Sequence, residues 1–88
     1  MATFPDPPDS VEFFDNPDRL VCSNVQGAET YHFQVSKDIP VKDWQTVQNS
    51  PETVVELDLS PDDYVCRVST ESNEERGEWG DELEFSID

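Results

Sequence analysis

The feature that most limits how this chain can fold is an alternation of apolar and polar residues that recurs in short segments, each closed by turn formers. Tyr31, Phe33 and Val35 alternate with Thr30, His32 and Gln34, and Thr53, Val55 and Leu57 alternate with Val54 and Glu56. Tyr64, Cys66 and Val68 alternate with Val65, Arg67 and Ser69, and Leu83, Phe85 and Ile87 alternate with Glu84, Ser86 and Asp88. A period of two gives a strand one dry and one wet face. Residues 11–14, 19–23 and 44–47 read as shorter strands. Between the strands stand Asp15-Asn16-Pro17-Asp18, Asn24-Val25-Gln26-Gly27-Ala28, Asn49-Ser50-Pro51 and Ser60-Pro61-Asp62-Asp63, all rich in turn-forming residues. Residues 72–77 are polar and charged and read as a loop. No long window carries a helical period. Seven strands at a spacing of about ten residues predict an all-β fold, a seven-stranded antiparallel β-sandwich.

Length sets the scale of the core. A chain of 88 residues makes one domain, and folding buries only about 60–65% of the surface its unfolded form exposes. Two Trp, two Tyr and five Phe fill the space between two small sheets, but little is left to line a deep substrate cavity. The same aromatics, with the regular alternation, argue against disorder despite the high charge. An enzyme is therefore not expected.

The 21 acidic residues against 5 Lys and Arg give a net charge of −16, spread from Asp6 to Asp88. Binding to nucleic acid or to an anionic membrane begins with Lys and Arg replacing counterions, so neither partner is expected. The charge reads either as a self-repelling surface, including one adapted to salt, or as an acidic face that meets a basic partner. No apolar run is long enough to span a bilayer, and Met1 is followed by Ala2, Thr3, Phe4 and Pro5 where a signal peptide would be basic and then apolar. Membrane insertion and a signal peptide are not expected.

Candidate chemistry is sparse. His32 is the sole histidine, and its place between Tyr31 and Phe33 predicts a solvent-facing side chain. Cys22 and Cys66 are too far apart in sequence for a C-x-x-C zinc motif. The acids of the turns, Asp15 with Asp18, Asp62 with Asp63, and Asp81 with Glu82, are oxygen donors of the kind calcium uses, yet none falls in an EF-hand spacing. They read as solvated turns. No catalytic, cofactor or metal residue is assigned.

The N-terminal residues 1–9 carry Pro5, Pro7 and Pro8, which remove backbone donors and forbid a helix. They read as an extended arm ahead of a domain over residues 10–88. Phe4, set among stiff prolines, offers an aromatic anchor at small entropic cost. Phe4, Pro5, Pro7 and Pro8 are thus candidate partner-binding residues on an arm expected to be mobile in the free protein.

Leu20, Cys22, Gly27-Ala28, Tyr31, Trp44, Leu57, Leu59-Ser60-Pro61, Tyr64, Arg67-Val68, Gly77, Trp79 and Phe85 together resemble the fibronectin type III pattern, over residues 11–87. The resemblance implies an immunoglobulin-like sandwich. One departure is that the family's core Trp on the second strand is replaced by Cys22. Cys66 follows Tyr64 in the Tyr-x-Cys arrangement of immunoglobulin domains, which implies that Cys22 and Cys66 face each other in the core and that Tyr64 pins a corner. Both a Cys22–Cys66 disulfide and a pair of buried thiols remain open. Arg76-Gly77-Glu78 lies where one fibronectin module displays Arg-Gly-Asp. Glu in place of Asp shifts the carboxylate by a methylene, and an ordinary glycine turn is expected.

The expected function is a non-enzymatic binding or structural module with a protein partner, such as a bacteriophage capsid or tail protein, on which it forms a decoration and assembles as a homo-oligomer. Its place would be the virion surface or the extracellular space. The alternative is a spacer or adhesion module of a larger secreted or cell-surface protein, including a carbohydrate-active one.

Overall fold

The computed structural model describes residues 6–88, all of whose regular elements are strands. They are β1 (Val11–Phe14), β2 (Arg19–Cys22), β3 (Thr30–Lys37), β4 (Gln45–Ser50), β5 (Val54–Glu56), β6 (Asp62–Ser72), β7 (Glu75–Arg76) and β8 (Leu83–Ile87). One sheet has the order β1-β2-β5; the other has the order β4-β3-β6, with β7 and β8 both paired to β6. All pairings are antiparallel. This is the sandwich the alternation predicts, with eight strands in place of seven.

The additional strand corrects the expected loop at residues 72–77. Ser72 pairs with Glu75 across a two-residue turn, Asn73 and Glu74, with φ of 52° and 67°. Positive φ at both central positions is what a tight hairpin requires. Glu is a poor residue for that conformation, so the sequence conceals the turn. β8 pairs with residues 62–66 and β7 with residues 71–72, so the two share one edge of the long β6 strand. They are two halves of one strand position. At β4 the pairing outlasts the alternation: the strand continues through Asn49 and Ser50, opposite His32 and Tyr31. β5 is shorter than its alternating sequence, ending at Glu56.

The core holds the inward sets. Leu20, Phe33, Cys66 and Val68 are fully buried, joined by Tyr31, Val35, Val55, Phe85 and Ile87. Phe13 stacks on Phe85 at 4.8 Å between ring centroids, and Tyr64 lies 5.8 Å from Phe85, which ties β1 to the opposite sheet. Cys22 and Cys66 both sit in this same core, drawn here as free thiols. Burial pushes the Cys22 thiol up to about 11 and the Cys66 thiol up to about 12, against partial offsets from backbone hydrogen bonds.

Two tyrosines use their hydroxyls as pins. Tyr64 donates to the Ser60 carbonyl at 2.6 Å, closing the corner ahead of β6 as the resemblance implies. The Tyr31 hydroxyl accepts from the Val25 backbone at 2.9 Å and donates to Asn24 Oδ1 at 3.3 Å. It fixes the turn in which Gly27 takes a φ of 85°, a conformation that favours glycine.

Candidate functional site

The outer face of the larger sheet carries a second, smaller assembly of side chains. Arg67 stands on the wet side of β6 directly opposite Gln34 of β3. Its Nε and Nη2 both donate to Gln34 Oε1, at 3.0 and 2.8 Å, while Gln34 Nε2 donates to Thr46 Oγ1 of β4 at 3.3 Å. A polar row therefore crosses three strands. Over it, the Arg67 guanidinium carbon lies 4.2 Å from the ring centroids of both Trp44 and Trp79. Arg76 stacks on Trp79 at 5.2 Å and donates from Nη2 to Ser69 Oγ at 3.2 Å.

The backbone accounts for this placement. Trp44 precedes β4, and Trp79 lies in the link between β7 and β8. That link stays on β6 because the Gly77 and Gly80 amides donate to the Thr70 and Val68 carbonyls, each at 2.9 Å. Two tethers bracket Trp79 and aim its ring. Arg67 has its guanidinium pKa lowered by burial, opposed by the nearby Glu82 and reinforced by Arg76. An arginine remains charged in any protein setting, so Arg67 does not act as a proton donor or acceptor.

Sequence reasoning takes Trp44 as the first residue of a short strand and Trp79 as part of a family pattern, and misses that the two meet over Arg67. The usable signal is Arg67 itself. In a chain with five Lys and Arg, a cation at the centre of a strand's wet face calls for a partner. The indole faces provide one.

His32 is a correction. It lies on the outer face as expected, yet it is 9% exposed. β3 is flanked by β4 and β6, whose Asn49 Oδ1 and Glu71 Oε1 approach the two ring nitrogens at 2.6 and 2.9 Å. Neighbouring long side chains close over a central strand, which alternation alone does not reveal.

The described part of the arm is also unlike the expectation. Pro8 is buried and Pro7 half-buried, and the Asp6 carbonyl accepts from Thr70 Oγ1 at 2.8 Å. Residues 6–9 thus pack on the domain, and Pro7 and Pro8 are not held out as a mobile anchor. Phe4 and Pro5 lie outside the described residues. Of the turn acids, Asp62 pairs with Lys37 at 3.3 Å and Asp63 accepts from Ser86 Oγ at 2.6 Å. Among the described residues no group of three or more His, Cys, Asp or Glu is placed to hold a metal ion. Arg76-Gly77-Glu78 belongs to β7 and its tether, with Arg76 turned onto Trp79.

A cleft of about 410 Å³ opens between the β4 edge of the larger sheet and the segment after β5. Val35, Val47, Leu59 and Tyr64 supply its apolar lining, with Ile39, Asp43 and Asp58 also contributing.

No family model matches the chain, and no curated protein matches it. Among solved structures it is similar to part of the twitchin kinase region from C. elegans (Fn31-NL-kin-CRD-Ig26), with a TM-score of 0.69 and 15% identity over 92% of this chain. The match covers 16% of that longer chain. At this identity the likeness speaks for the fold alone, and the fold is the fibronectin type III or immunoglobulin-like sandwich.

Proposed function

We propose that the chain is a non-catalytic interaction module that holds a protein partner against the outer face of its larger sheet. The observation that carries this reading is the Trp44–Arg67–Trp79 stack. Tryptophan and arginine are the residues most enriched where binding energy concentrates, and here they are fixed in place before any partner arrives, which lowers the entropy lost on docking. Two of the five N–H donors of Arg67 are taken by Gln34. The outer fork of the guanidinium has no partner among the described residues.

The setting proposed is the surface of a virion, where the domain decorates a capsid or tail. A net charge of −16 supports this, because neighbouring copies repel one another and packaged nucleic acid is avoided. Mass spectrometry of purified virions from cells that make the protein tests it. Many copies per particle, reduced in a Trp44→Ala variant that still folds, are expected; absence from particles sinks the setting.

A second reading, a spacer or adhesion module of a longer secreted or cell-surface protein, draws support from the likeness to one part of a multidomain chain. An intact mass in the native source well above 10.0 kDa would favour it.

A further inference from the structure

The cleft beside β4 is a separate surface from the tryptophan–arginine face. Its two walls are the outer edge of β4, which among the described residues pairs with β3 alone, and the extended residues after β5. The β3–β4 register shifts between Phe33 and Gln34, so Val47 is an extra residue without a partner opposite. This bulge directs Val47 into the cleft, where Leu59 and Tyr64 face it. The link before β4 leaves Ile39 42% exposed at the cleft. The cleft is thus apolar inside and extended by an apolar side chain at its mouth.

Its charge is net acidic. Asp43 and Asp58 line it together with Lys37, whose ammonium is paired with Asp62 at 3.3 Å, and the neighbouring Lys42 is paired with Asp38 at 3.6 Å. With the chain at −16, the field over the mouth favours a cationic visitor and repels an acidic one.

We infer that this cleft docks a basic, extended segment of a partner protein, which inserts one large apolar side chain between Val47 and Leu59 and sets Lys or Arg against Asp43 and Asp58. A volume of about 410 Å³ admits one such side chain. The inference rests on the reading of the domain as an interaction module and specifies a partner chemistry for it.

The test uses short synthetic peptides in which a central Phe is flanked by Arg and Lys, with Ala-for-Phe and Glu-for-basic controls, titrated into the isotope-labelled chain. The Phe peptide is expected to shift the amides of residues 39–47 and 58–60. It should bind about tenfold tighter than the Ala control, and the acidic control should not bind. Ile39→Lys, and separately Asp43→Asn with Asp58→Asn, change exposed or rim positions and should each weaken binding by about tenfold with the fold intact. Absence of binding by the Phe peptide overturns the inference. So does binding that ignores the Phe or these substitutions, which would be general attraction to an acidic protein. Shifts confined to Arg76 and Trp79 overturn the cleft while leaving the proposed interaction module standing.

Discussion

The Tyr64 hydroxyl donates to the Ser60 carbonyl at 2.6 Å, four residues upstream, across a corner that includes Pro61. The same ring lies against Phe85 in the core, so one side chain joins a loop to the packing of both sheets. Tyr64→Phe keeps the ring and removes the donor. A loss of about 1 kcal/mol is expected, read as a lower urea midpoint with an unchanged slope. An unchanged midpoint would mean that water replaces the bond at no cost.

Gly80 shows how the arm is fitted. A Cβ built there would meet the Pro7 Cβ at 3.0 Å and the Val68 carbonyl at 3.5 Å. The first of these is too close for both to stay. Gly80→Ala should therefore displace residues 6–9 from Thr70, speeding hydrogen exchange there and destabilising the domain by about 1 kcal/mol. If the arm instead adjusts by a few tenths of an ångström, exchange rates near Asp6 will not change.

What was legible in the sequence was whatever a single strand could report. Phe33, Val35, Val68, Phe85 and Ile87 point inward as alternation predicts, because burial on one face imposes a period of two. Tyr64 announced its corner through its neighbours. The tryptophan–arginine stack was not legible, since residues 44, 67 and 79 meet only after three segments are assembled, and neither tryptophan stands in an alternating run. Glu74 with a φ of 67° hid β7, and His32 was covered by strands that its own sequence does not describe.

The two core thiols make stability depend on alkaline pH. An exposed thiol ionises near about 8.5, whereas Cys22 is held at about 11 and Cys66 at about 12. Between those limits the folded chain keeps protons that the unfolded chain releases. Their stabilising contribution is full below about pH 8.5 and falls as pH rises, by about 1.4 kcal/mol per unit for each thiol, until the folded values are reached. Urea midpoints at about pH 8 and about pH 10 should differ by less in Cys66→Ala than in the parent. Alkylation of the native chain should also be slow until it unfolds.

Arg67→Lys is the most discriminating substitution on the outer face, because it preserves charge and removes shape. The guanidinium is flat and lies 4.2 Å from two indole centroids at once, and its Nε and Nη2 converge on a single Gln34 oxygen. An ammonium group cannot fill that planar gap or reproduce the two-nitrogen contact, and it is more strongly hydrated. Each cation–π contact contributes about 0.5–1 kcal/mol at a partly exposed site, so the two together contribute about 1–2 kcal/mol and a loss of about 1 kcal/mol is expected after lysine recovers part of the attraction. The loss should persist at high salt, since ring quadrupoles act at contact distance where ionic screening is weak. Both indoles should report the change through their fluorescence, as the group stacked on them is replaced. A variant as stable as the parent, with unchanged Trp emission, would show that Arg67 lies over the rings without holding them.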